Sequence, residues 1–381
     1  MEGVVWVGFS TPDAAHLTSY RVMKPMDTDD QKSSFEISGR AVGGGAPAYL
    51  IAEVAQAHDG SLGTAHAFID AAAYAGADAV KFQTHIADAE STRDEPFRVA
   101  FSRQDETRLD YWKRMEFSAE QWSGLADHAR ECGLHFVSSA FSLEAVALLR
   151  RLDVPVWKIA SGEVRTRGIV AAICGDGKPV LLSTGMSPWG DIDATVGEIR
   201  HAGSPVAVLQ CVSRYPTPLA DVGLNILDDM RARYSCPVGL SDHSGQPWPA
   251  LAAIARGAAV VELHLTLSER MFGPDVPSSL TVDQFRMVSD MRDAVTTMDA
   301  HPTDKDAVAE DLADMRAMFG RSLAPKHDLP AGTCVREDML VAKKPATGIS
   351  EHDIGAVVGR TLVRDVPSDR LISWADLHVD G

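Results

Sequence analysis

Pro237-Val-Gly-Leu-Ser-Asp-His-Ser244 is a short apolar run that ends in three polar side chains, Ser241, Asp242 and His243. About one strand-plus-helix unit later the pattern returns as Ala259-Val-Val-Glu-Leu-His-Leu265, an apolar run carrying His264. Each run is long enough for a strand, and each places its polar residues where a strand gives way to a loop. Two imidazoles at the ends of consecutive strands can converge on one divalent cation. Either histidine alone reads equally well as a structural residue. The pair, flanked by Asp242 and Glu262, favours a ligand set.

The same rhythm extends back to Tyr49. Strand-like runs are expected at 49–54, 79–83, 135–139, 156–161, 179–184, 206–212, 238–241 and 260–265. Helical stretches between them are expected at 64–74, 119–131, 143–152, 166–173, 191–201, 224–233 and 247–256, with a last one at 282–297. Strands alternating with helices imply parallel pairing, and eight repeats over this length predict a (β/α)8 TIM barrel. The strands are nearly continuous apolar runs, as parallel strands covered on both faces require. Their polar residues gather at the C-terminal ends: Glu53; Lys81 and Gln83; Ser138 and Ser139; Lys158 and Ser161, with Glu163 just beyond; Ser183 and Thr184; Ser213 and Tyr215; Ser241 and His243; His264. In a barrel these ends share one rim, where barrel enzymes keep their chemistry.

The flanks differ in style. Residues 1–46 form an irregular lead-in, with strand-like pieces at Val4–Gly8 and Phe35–Arg40 and a Gly43-Gly-Gly45 break that suggests a hairpin. The Gly run lacks a following Gly-Lys-Ser/Thr, so it is read as a connection and not a phosphate loop. The barrel is expected over 47–300 and a charged helical linker over 301–320. A small domain rich in strand and turn follows over 321–381, with pieces at 322–324, 328–332, 339–342 and 357–362.

Composition narrows the function. The 381 residues are 45% hydrophobic and 23% charged, ordinary for a globular protein with a sizeable core. A net charge of −17 argues against a nucleic-acid partner and against an anionic membrane. Five cysteines, odd in number and without paired motifs, suggest reduced thiols in a cytoplasm. No signal peptide and no membrane-spanning run is read.

Lys81 and Lys158 fall on inward-facing strand positions. A buried ammonium needs an anion, and a substrate anion is the expected partner. The hydroxyls of Ser139, Ser161, Ser183, Ser213 and Ser241 can donate to phosphate or carboxylate oxygens. A Schiff-base lysine of an aldolase or lyase is the rival reading. Glu53 could move a water proton or simply pair with Lys81 or Lys158.

These residues resemble the sialic acid synthase family, which includes N-acetylneuraminate synthase and its pseudaminic and legionaminic acid relatives. The resemblance rests on Ile51-Ala-Glu-Val54, His58-Asp-Gly60, Lys81-Phe-Gln83, Lys158-Ile-Ala-Ser-Gly-Glu163 and Leu182-Ser-Thr-Gly-Met186. It continues in Tyr215-Pro-Thr-Pro218, Gly239-Leu-Ser-Asp-His243, His264, Gly273-Pro-Asp275 and Arg321-Ser-Leu323, and the tail is similar to an antifreeze-like (SAF) domain. It implies a condensation of phosphoenolpyruvate with the open-chain aldehyde of an amino sugar, giving a 2-keto-3-deoxy sugar acid and phosphate. By position it implies phosphoenolpyruvate on Lys81, Ser139, Lys158, Ser161, Ser183, Ser213 and Ser241. It implies Mn2+, or another cation such as Mg2+ or Co2+, on His243 and His264. Glu53 would sit by the reacting carbons. Gln83, Tyr215 and Asp275 would face the sugar or a metal-bound water, and Glu163 would line the site. It also implies a homodimer with swapped C-terminal domains.

Several positions depart from the family pattern. Ser138-Ser-Ala-Phe141 stands for Ser-Thr-Pro-Phe, and Ser213 stands where some members carry Asn. Val276-Pro-Ser278 replaces the usual segment before Ser279. Lys343-Lys-Pro-Ala346 stands for Lys-Arg-Pro-Gly, so Lys344 occupies the position of an arginine that reaches the N-acyl group from the neighbouring chain. Lysine lacks the planar fork of arginine, which suggests a modified acceptor in place of plain N-acetylmannosamine. Rival readings are another phosphoenolpyruvate-dependent keto-deoxy acid synthase, acting on a phosphorylated aldose, and a non-enzymatic binding protein.

Overall fold

The computed structural model describes residues 33–378. The expected strand at Val4–Gly8 lies outside them. An antiparallel hairpin of β1 (Ser34–Ile37) and β2 (Arg40–Gly43) comes first. Eight strands follow: β3 (Tyr49–Ala55), β4 (Ala79–Thr84), β5 (His135–Ala140), β6 (Trp157–Ile159), β7 (Val180–Ser183), β8 (Val206–Cys211), β9 (Val238–Asp242) and β10 (Val260–Thr266). All pair in parallel in sequence order, and β10 pairs with both β9 and β3, so the sheet closes into a barrel. A two-residue strand, β11 (Leu280–Thr281), adds to β10.

The outer ring contains α1 (Leu62–Tyr74), α2 (Ala87–Glu90), α3 (Arg108–Met115), α4 (Ala119–Glu131), α5 (Leu143–Arg151), α6 (Arg167–Cys174), α7 (Trp189–His201), α8 (Ile226–Tyr234), α9 (Trp248–Ala255) and α10 (Val282–Asp299). Their starts follow local chemistry. The Ser61 hydroxyl accepts from the Thr64 amide, and Ser142 from Ala145. Thr107 with Asp110 and Ser118 with Gln121 form reciprocal capping boxes that satisfy otherwise orphaned amides. The two short helices α2 and α3 were not expected; their segment lacks a helical stripe long enough to read.

Alternation along the strands builds two cores. Leu50, Ala52 and Val54 of β3 face the helices, whereas Tyr49 and Ile51 face the barrel axis with Ala79, Val137, Val156, Leu181, Ala207, Leu209 and Val260. Ile37 and Val42 of the hairpin join that inner cluster and are fully buried, so the hairpin plugs the N-terminal end. Gly239 fits where a side chain cannot: a Cβ there would lie 2.2 Å from the Val260 carbonyl oxygen and 2.7 Å from Leu209 Cδ2.

A second compact unit begins at Ala300. It holds α11 (Lys305–Asp311), α12 (Ala313–Phe319) and the antiparallel pair β12 (Ser322–Pro325) and β13 (Leu340–Lys343). The segment expected as a linker therefore forms two helices of this unit. Its small core includes Leu323, Val335, Ile349, Val357, Leu362 and Ile372. The strand expected at 357–362 is not formed: Val357 ends a short helix, α13 (Ile354–Val357), and pairing there is limited to bridges at Thr361 and Leu362. Among the described residues no helix is long and apolar enough to cross a membrane.

Candidate active site

The inward-facing positions switch from apolar to polar at one level of the barrel. Two residues beyond Ile51, Ala79, Val137, Val156, Leu181, Leu209, Gly239 and Val260 come Glu53, Lys81, Ser139, Lys158, Ser183, Cys211, Ser241 and Glu262. Period-two alternation carries each of these side chains to the axis, because the residue two before it already points there. The register sets Glu53 opposite Lys81, Ser139 opposite Lys158, and Ser241 opposite Glu262. The register of β3 shifts between Glu53 and Ala55, and Ala55 has φ 48°, so a bulge follows the carboxylate. Bulges of this kind re-aim side chains beside functional sites.

Above this layer opens a cavity of about 340 Å3, within the usual range for small-molecule sites. Its lining includes Glu53, Lys81, Gln83, Lys158, Ser161, Ser183, Ser213, Tyr215, Ser241, His243, His264 and Asp275, all expected at the rim. Ser139 is off the lining and lies behind Lys81, with Oγ 3.4 Å from Nζ. Glu163 is half-buried at the end of a 3-10 turn, also off the lining. Lys344 belongs to the second unit, where its Nζ sits 5.2 Å from the centre of the Phe319 ring.

The floor carries its own counter-ions. Lys81 and Lys158, each only 2% exposed, already face protein carboxylates. Lys81 Nζ lies 2.8 Å from Glu53 Oε2, and both ammonium groups lie 3.6 Å from Glu262 Oε1. Lys158 also donates to Ser183 Oγ at 2.7 Å, and Gln83 Nε2 donates to Glu53 Oε1 at 2.8 Å. Glu262, visible in the sequence only as a neighbour of His264, is thus the central counter-ion. Its Oε1 also accepts from Ser241, while Oε2 has no hydrogen-bond partner among the described residues.

Burial disfavours every charge in this cluster, and the partners decide which charges survive. Burial raises Glu53 most; Lys81 pulls it back and Glu262 pushes it up, and its carboxyl is pushed up to about 7. Burial works against the Glu262 charge too, but Lys158 and Lys81 outweigh it and hold that carboxyl below the usual range. Burial opposes the charge on Lys81, yet Glu262 and Glu53 raise it; on Lys158 burial wins and the direction is downward.

The imidazole pair sits at the next level. The His243 and His264 rings lie 5.2 Å apart, centre to centre. His243 Nδ1 donates to the Val212 carbonyl at 2.8 Å, so in the neutral ring Nε2 carries the lone pair. That Nε2 accepts from the Tyr215 hydroxyl at 3.0 Å. Burial above all, and then the nearby cationic groups, hold His264 well below the ordinary histidine value, which keeps it neutral. A carbonyl-oriented imidazole and a neutral one a ring's width away fit a divalent cation with nitrogen and oxygen ligands.

Residues beyond the expected set complete the mouth. Arg98 lies 4.1 Å above the Tyr215 ring and donates to Asp275 Oδ1 at 2.9 Å. Phe97 and Phe101 pack edge-on to each other and against Tyr111. These side chains come from the long segment between α2 and α3, whose length at a strand's C-terminal end was the available signal. The Cys211 sulfur lies 3.9 Å from His243 Nδ1.

Fold and cavity together define a barrel enzyme with a charged floor and an imidazole pair above it. Comparisons with known proteins make the class specific. The model of the NeuB family matches residues 68–302, and that of the SAF domain matches 320–378. The N,N'-diacetyllegionaminic acid synthase of Campylobacter jejuni is 31% identical over 331 residues, covering 85% of this chain and 98% of that protein. The human N-acetylneuraminate-9-phosphate synthase is 30% identical over 339 residues, covering 88% and 94%. The crystal structure of the N-acetylneuraminic acid synthetase of Leptospira borgpetersenii, in complex with citrate, aligns with a TM-score of 0.65 at 26% identity, covering 74% of this chain and 96% of that one. The chain belongs to the NeuB family, and its C-terminal unit carries a SAF domain.

Proposed function

We infer that this chain condenses phosphoenolpyruvate with the open-chain aldehyde of an amino sugar and releases phosphate. The observation that carries this reading is the stacking of two levels: a lysine and serine floor directly beneath an imidazole pair. In this reading Lys81 and Lys158 hold the phosphate and carboxylate groups, helped by the hydroxyls of Ser161, Ser183 and Ser213. Ser139 supports the site from behind by bonding Lys81. Binding a multiply charged anion competes with Glu53 and Glu262 for the same ammonium groups. That competition favours the protonated form of Glu53, which already titrates near neutrality.

His243, through Nε2, and His264 would hold Mn2+ or a similar ion. Such an ion supplies Lewis acidity towards the aldehyde oxygen. The Val212 carbonyl orients His243, and Arg98 with Asp275 closes the side of the mouth where the sugar would lie. The floor residues fix the methylene carbon of phosphoenolpyruvate for attack on the aldehyde carbon, leaving C2 electron-deficient. Glu53, protonated once phosphoenolpyruvate is bound, would give its proton to the aldehyde oxygen as the C–C bond forms and then take one from the water that adds at C2; the tetrahedral adduct expels phosphate with cleavage of the C–O bond. One water is consumed, and the bridging oxygen leaves in phosphate.

The decisive experiment offers phosphoenolpyruvate and a panel of hexosamines, with product mass and phosphate release as readouts. A 2-keto-3-deoxy sugar acid with stoichiometric phosphate is expected, and 18O placed in the bridge should appear in phosphate. Label retained in the keto acid would refute the C–O cleavage. The acceptor is proposed to be a modified relative of N-acetylmannosamine, contacted by Lys344 from a neighbouring chain in a swapped dimer in the cytoplasm. N-acetylmannosamine turning over far better than the modified sugars, with Lys344→Arg neutral, would end that part. The downward direction of Lys158 favours one second reading, a Schiff-base lyase. Borohydride trapping of a covalent adduct would select it.

A further inference from the structure

On the opposite side of the strand wall from the cavity, α1 and α4 present two pairs of ligand side chains at helical i, i+4 spacing. His66 and Asp70 lie on α1; His128 lies on α4 and Cys132 caps its C-terminus. Residues four apart share a helix face, and the two faces meet. His128 Nε2 lies 3.1 Å from Asp70 Oδ1, and Cys132 Sγ lies 3.8 Å from the same oxygen. His128 Nδ1 lies 2.8 Å from His66 Nδ1. Ligand atoms of Asp70, His128 and Cys132 all fall within 4.8 Å of one another. Among the described residues Asp70 has no salt-bridge partner other than His128.

We propose that Asp70, His128 and Cys132 form a binding site for a Zn2+-type cation, separate from the catalytic cavity, that clamps α1 to α4. Ligand-to-metal distances of about 2.0–2.3 Å put tetrahedral ligands roughly 3.3–3.8 Å from one another. The two separations at Asp70 already bracket that range closely. Thiolate, imidazole and carboxylate together select a borderline-soft ion such as Zn2+ over Mg2+ or Mn2+. With its Nδ1–H donated to His66 Nδ1, neutral His128 keeps its lone pair on Nε2 for the cation, and the bond fixes the ring, the usual outer support of a metal-bound imidazole. Solvent completes the fourth position, since Asp70 is exposed. Binding releases the Cys132 thiol proton to solvent. Because the four residues come from two helices, the site exists only in the folded chain, and the ion stabilises the fold.

The test uses the full chain with Co2+ as a spectroscopic probe and Zn2+ as the stabilising ion. In a His243→Ala/His264→Ala background, one equivalent of Co2+ should give a thiolate-to-cobalt charge-transfer band, and Cys132→Ser should remove it. Zn2+ should raise Tm by a few degrees, with the shift absent in Cys132→Ser and His128→Gln. Absence of the band, or a band surviving Cys132→Ser, would overturn the proposal. If the double-alanine background does not fold, the wild-type chain serves: Zn2+ should protect Cys132 from alkylation, read by peptide mass spectrometry, while Cys334 stays reactive. Alkylation of Cys132 at an undiminished rate in saturating Zn2+ would equally overturn it.

Discussion

Glu53 on β3 and Lys81 on β4 are register partners, and their side chains meet at 2.8 Å on the floor of the cavity. The pair is buried, and Glu53 is pushed from an ordinary 4.5 up to about 7. Between these values the unfolded chain has released a proton that the folded chain keeps. Folded stability should therefore fall as pH rises through this window and level off above it, by up to about 3 kcal/mol. Glu53→Gln removes the titration. Calorimetric Tm at pH 5 and pH 8 should differ less in the variant than in the wild type, and equal differences would contradict the assignment. The falling limb of kcat/KM above pH 7 should vanish with the same substitution.

The imidazole level is tested by removal. His243→Ala and His264→Ala should each lower phosphate release by roughly a hundredfold or more, as expected for losing a ligand of a catalytic ion. Far-ultraviolet circular dichroism should be unchanged. Full activity in the double variant would remove the metal from the proposed reaction.

Lys158 bridges function and stability. Lys158→Met leaves Glu262 with one cation in place of two, and a buried carboxylate stripped of a partner costs about 3–5 kcal/mol. The phosphoenolpyruvate KM should rise well before that of the acceptor. Adding Glu262→Gln should recover much of the Tm and none of the phosphoenolpyruvate affinity. Recovery of both would mean that Lys158 only neutralises Glu262.

Gly239 tests the packing of β9 against β10. Gly239→Ala sets a methyl group 2.2 Å from a backbone oxygen that cannot rotate away. Overpacking of this kind costs about 1–3 kcal/mol or more. A lowered denaturant midpoint with an unchanged slope is expected. A midpoint equal to the wild type would mean that the two strands can part at no cost.

The barrel was legible because its signal is repetitive. Apolar runs ending in polar residues mark strands such as β9 and β10 wherever helical stretches separate them. The rim residues followed from that placement, and twelve of the fifteen expected site residues line one cavity. What stayed hidden depends on distance across the barrel. Nothing in the string says that Glu262 reaches two lysines on distant strands, because its partners are set by closure of the sheet. Arg98 was invisible for another reason: it sits in a long irregular segment, where no periodicity tells which side chain turns inward. Ser139 was placed on the right strand, but its hydroxyl is taken by Lys81.

The hairpin at the N-terminal end has a kinetic consequence. With Ile37 and Val42 packed against Tyr49 and Ile51 beneath a filled axis, the cavity opens at the C-terminal rim. A ligand seated at its closed end has to arrive before its co-reactant and depart after whatever stands above it. An ordered sequence of arrivals and departures would then follow from the packed apolar interior beneath the floor, which the hairpin seals at the far pole.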